Sequence, residues 1–67
     1  MTSWNSILAN WSVDCGISHD SALMALGGTV AFLKARQAHK AGATERVVRF
    51  HLDAALAAVG MAKIRMD

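Results

Sequence analysis

The candidates for a catalytic or metal-binding site in this chain are His19, His39 and His51, with Cys15, Asp14, Asp20 and Asp53. A zinc-binding helix face needs two imidazoles four residues apart, and no histidine pair has that spacing. Cys15 and His19 do stand four apart, but Gly16 lies between them in a stretch that reads as a linker. There is no phosphate-cradling glycine loop, dinucleotide fingerprint, nucleophile motif or converging carboxylate pair. The expectation is a chain without catalytic residues, metal or cofactor, whose histidines are surface or partly solvated groups. Two or three thin helices rarely enclose the concave, supported pocket that chemistry needs.

The elements that would position these groups follow from size and patterning. A chain of 67 residues makes one small domain, and such a domain buries only about 60% of its unfolded surface. A single cysteine forms no internal disulfide and fits a reducing compartment. Residues 1–11 lack both a basic start and a sustained apolar run, so the expected location is cytoplasmic. With 54% of its residues apolar and many of them Ala, the chain is expected to gain stability by oligomerising or by meeting a lipid phase. A net charge of +2 is too small by itself to imply a nucleic-acid binder.

The pattern is all-helical. Thr2 or Ser3 can cap a first helix over about 3–12, in which Trp4, Ile7, Leu8 and Trp11 recur at i, i+3, i+4 and i+7. This amphipathic segment is too short to hold alone in water, so its tryptophans must rest on the rest of the chain or on a membrane interface. A linker over 13–19 contains Gly16, with Ser18 or Asp20 as the next cap. A long helix over about 20–41 follows, with Leu23, Leu26, Val30, Leu33 and Gln37 as its seam. Gly27 and Gly28 interrupt it at about 1 kcal/mol each, which points either to a close-packed neighbour or to a local kink. The turn over 42–44 uses Gly42 to close one helix and Thr44 to cap the last, over about 45–65. There Val48, Leu52, Ala55, Val59, Ala62 and Met66 continue a seam, and Glu45 and Arg49 form an i, i+4 pair.

Folding at Gly42 makes an antiparallel hairpin with a charged half near the turn and an apolar half away from it. A solitary hairpin exposes much of that apolar half, and the Trp4–Trp11 segment covers one side only. The predicted remedy is a bundle of hairpins from several copies, joined through Leu23, Leu26, Val30, Leu33, Val48, Leu52, Leu56 and Val59.

The membrane alternative is limited by length. Crossing about 30 Å of hydrocarbon takes about 20 apolar residues, whereas residues 22–33 reach only ~18 Å at 1.5 Å each. The run Ala-Leu-Met-Ala-Leu-Gly-Gly-Thr-Val-Ala-Phe-Leu-Lys-Ala-Arg at 22–36, with its basic turn and the later Leu-Asp-Ala-Ala-Leu-Ala-Ala-Val at 52–59, resembles the first two hydrophobic segments of the lambda-type phage holins. The likeness covers about half of the chain, and the family's third spanning segment has no counterpart in it. It implies a membrane-active hairpin that oligomerises into a pore in the inner membrane, with the basic turn in the cytoplasm.

The charged end carries Lys34, Arg36, Lys40, Arg46 and Arg49 against Glu45 and Asp53, a local excess of three positive charges. Such a surface suits an acidic protein, lipid headgroups or nucleic-acid phosphates, or it simply keeps an oligomer solvated. Phe50 is the only nearby aromatic able to stack on a base. The leading expectation is a small non-enzymatic interaction protein, in the style of phage proteins, that self-associates and offers its basic end or the Trp4/Trp11 face to a larger protein partner. The alternatives are the membrane-active hairpin and a small nucleic-acid-binding dimer.

Overall fold

The computed structural model describes residues 3–60, which form four helices and no strand: α1 (Trp4–Cys15), α2 (His19–Leu26), α3 (Val30–Lys40) and α4 (Glu45–Ala58). Each starts on a hydroxyl cap. Ser3, Ser18, Thr29 and Thr44 each take an extended conformation, and each side chain accepts from the backbone N–H three residues on. These bonds satisfy donors that the first turn of a helix leaves free.

Two of the connections are glycine turns of one design. Gly16, at φ 73°, ends α1 as its N–H donates to Val13 and that of Ile17 to Ser12. Gly42, at φ 85°, ends α3 as its N–H donates to His39 and that of Ala43 to Ala38. This paired closure needs a left-handed residue, which favours glycine.

The expected single helix over 20–41 is two helices. Gly27 closes α2, and Thr29 opens α3 by donating its hydroxyl to the Leu26 carbonyl at 2.8 Å while accepting from the Phe32 N–H at 3.1 Å. The break resets the helical phase. Leu26 and Phe32 are both buried although six residues separate them, a spacing of about 240° net rotation on a continuous helix. The buried face of α3 is consequently Phe32 and Ala35, with Ala31 and Ala38 beside it, while Val30 and Leu33 turn outward. Other boundaries move too. Helix α1 runs on to Cys15, which shortens the linker to residues 16–18, and α4 ends at Ala58 rather than at 65. The expected seam positions Ala62 and Met66 lie outside the described residues.

Helices α3 and α4 pack together extensively, and α1 packs on both α2 and α4. Helix α2 therefore extends the core against α1 instead of prolonging the α3–α4 contact. Ile7, Leu8, Trp11 and Cys15 from α1 meet Ala22 and Leu26 of α2, Phe32 and Ala35 of α3, and Val48, Leu52, Ala55 and Leu56 of α4 in one cluster. Fully burying a leucine contributes about 1.5–3 kcal/mol, and Leu8, Leu26 and Leu52 are each 0% exposed. The buried Ser12 hydroxyl donates to the Leu8 carbonyl at 2.7 Å, which leaves its polar atom satisfied.

Candidate interaction surface

The self-association residues divide into two groups. Leu26, Val48, Leu52 and Leu56 are consumed by the core of a single chain, at 2% exposure or less. Leu23, Val30, Leu33 and Val59 stay on the surface, between 38% and 68% exposed. The first group cannot join two copies without unfolding each of them, so the expected intermolecular seam keeps only its outer members.

The tryptophans are also claimed from within. Trp11 is 1% exposed, and its indole N–H donates to Asp53 Oδ1 at 2.9 Å. Trp4 is half-buried, edge-on to Phe32 at 5.5 Å between ring centroids and tilted against His39 at 6.0 Å. Helix α1 is thus a lid on the other helices, and the indole of Trp11 is out of a partner's reach.

Arg49 belongs to the fold as well. Its guanidinium donates to Asp14 Oδ2 at 2.6 Å, and its Nε lies 3.5 Å from Glu45 Oε2, a contact too loose to count as a hydrogen bond. Lys34, Arg36, Lys40 and Arg46 are exposed and take no part in the ion pairs formed among the described residues. With Asp14 and Glu45 engaged by Arg49, the free charge of the α3–α4 end is positive.

The histidines are spread over different helices, with His39 on the Trp4 ring and His51 edge-on to Phe50 at 5.8 Å. Among the described residues no group of three or more His, Cys, Asp or Glu side chains could hold a metal ion. Among them, too, no helix is long and apolar enough to cross a membrane.

One surface escaped the reading of the sequence. On α4, Val47, Phe50, Ala54 and Ala57 fall at i, i+3, i+7 and i+10, and all four are exposed, Phe50 at 69%. They form a row on the face opposite Val48, Leu52 and Ala55. The signal is a second three-four spacing beside the Val48, Leu52 and Ala55 row, and its later part falls where residues 54–62 are apolar on every side. Comparison with family models, with curated proteins and with solved structures finds no match for this chain.

Proposed function

We propose that this chain is a non-enzymatic assembly protein, in which α3 and α4 are the arms of a hairpin that self-associates and presents a basic end to a larger protein partner. The observation that carries this reading is the outer row of α4. A contiguous apolar row left in solvent beside a buried one is a surface that a second helix can cover. One face of α4 is covered by its own chain, and the other offers Val47, Phe50, Ala54 and Ala57 to solvent.

The row is suited to a two-fold contact. Its bulky member, Phe50, stands one or two turns from the small Ala54 and Ala57, so an antiparallel copy of α4 can seat each phenyl ring over the partner's alanines. A self-complementary patch of this kind is what a two-fold interface requires. Arg46, four residues before Phe50 on the same side, would lie at the rim in water.

Sedimentation of the purified protein tests this. The wild type is expected to run as a discrete dimer or small oligomer, and Phe50→Asp as a monomer with unchanged helical circular dichroism. A wild type that remains monomeric at every accessible concentration would end the proposal.

A further inference from the structure

We propose that the corner between α2 and α3 docks on an anionic lipid surface, as a peripheral contact that does not span the bilayer. The proposal uses a different face from the α4 row and does not depend on self-association.

Residues 22–33 carry no charged side chain, and although Leu26 and Phe32 of that run are buried, the corner exposes Met24 at 88%, Val30 at 68% and Leu33 at 50%. The first charges after it are Lys34 and Arg36, both exposed. Lys34 follows Val30 by one helical turn, about 6 Å along α3. That offset is comparable to the ~5–10 Å by which interfacial helices sink their apolar side below the headgroups. Val30 can therefore reach the acyl boundary while the Lys34 ammonium stays among lipid phosphates.

Charge agrees with this placement. Lys34, Arg36 and Lys40 are left out of the Arg49 ion pairs and remain available to anionic headgroups. The corresponding acid on the α2 side is Asp20, one turn before Met24 and away from the bend. At the bend the Gly27 N–H donates to Leu23, the Thr29 N–H to Leu26, and the Thr29 hydroxyl bridges Leu26 and Phe32. These bonds fix the bend that separates Met24 from Val30. A nucleic acid would leave Met24 and Val30 without a role, and the α4 row has Arg46 at its rim where the corner has Lys34 and Arg36.

Flotation with phosphatidylcholine vesicles, and with vesicles containing about 30% phosphatidylserine, tests the proposal. Binding is expected on the anionic vesicles alone and should weaken as salt is added. Lys34→Gln/Arg36→Gln should lower partitioning about 25-fold, from about fivefold per basic residue, or ~1 kcal/mol each. Met24→Ser/Val30→Ser should lower it at least about tenfold with helicity unchanged, because both side chains are already exposed. Phe50→Asp should bind as the wild type does, which separates this proposal from self-association. Absence of wild-type binding, equal binding to both vesicles, or indifference to both double substitutions would overturn it. So would a corner substitution that changes the solution mass and leaves flotation unaltered, since the corner would then be a protein interface.

Discussion

Trp11 and Asp53 stand 42 positions apart in the chain and meet through a single bond, the indole N–H donating to Oδ1 at 2.9 Å. That bond ties α1 to α4 where the ring enters the core. A hydrogen bond to a charged acceptor contributes about 1.5–3 kcal/mol when it is shielded. Asp53→Ala should therefore cost about 1–3 kcal/mol in urea denaturation, whereas Asp53→Asn, which keeps a carbonyl oxygen at the same place, should cost less. A double cycle with Trp11→Phe should show coupling of about 1 kcal/mol or more. Additive losses would mean that the bond contributes nothing beyond packing.

Leu23 and Leu26 separate the surface from the core within one turn of α2, at 41% and 0% exposure. Leu26→Asp should unfold the chain, because a buried carboxylate without a partner costs several kcal/mol, on the order of 3 or more. Leu23→Asp should leave helicity intact. Circular dichroism of the two variants at one temperature checks the pair, and a folded Leu26→Asp protein would contradict the packing.

What could be read from the sequence was the local chemistry. Ser3, Ser18, Gly42 and Thr44 do what their types predict, because a cap depends on three or four neighbouring residues and little else. The row Trp4, Ile7, Leu8 and Trp11 was equally legible as a face that must rest on something. The phase of α3 was not. A periodic run of apolar residues on both sides of Gly27 and Gly28 reads as one helix, and only the Thr29 cap shows that the count restarts. Once it restarts, Phe32 and Ala35 replace Val30 and Leu33 as the buried face, and the exposed surface changes with them. The Trp11–Asp53 and Arg49–Asp14 contacts had no local signature, since each joins α1 to α4 across most of the chain.

Arg49 and Asp14 form the second tie between α1 and α4, at 2.6 Å, with side-chain exposures of 30% and 55%. A pair this wet is worth about 0.2–1 kcal/mol. A double cycle of Arg49→Gln and Asp14→Asn should give a coupling in that range, falling toward zero in about 1 M salt as the Debye length shrinks to ~3 Å. A large coupling that ignores salt would place the pair in a drier setting than its exposure indicates.

Gly27 and Gly28 sit side by side at the α2–α3 break and should respond in opposite ways to a methyl group. A Cβ on Gly27 would come within 2.6 Å of the Leu23 carbonyl oxygen, whereas one on Gly28 would have nothing within 4 Å. The first contact is with backbone, which cannot swing aside as a side chain would. Gly27→Ala should therefore strain the end of α2 and cost about 1–3 kcal/mol, the range for forcing an extra carbon into a filled site. Gly28 is not among the described residues with positive φ, so alanine there meets no conformational penalty of that kind. Gly28→Ala should stabilise the fold by about 0.4–1 kcal/mol, chiefly by narrowing the unfolded ensemble. Thermal unfolding of both variants gives the comparison: the expected result is a lower midpoint for Gly27→Ala and a higher one for Gly28→Ala. A higher midpoint for Gly27→Ala would mean that α2 and α3 join more smoothly than a break at Thr29 allows, and the phase reset that exposes Val30 and Leu33 would lose its support.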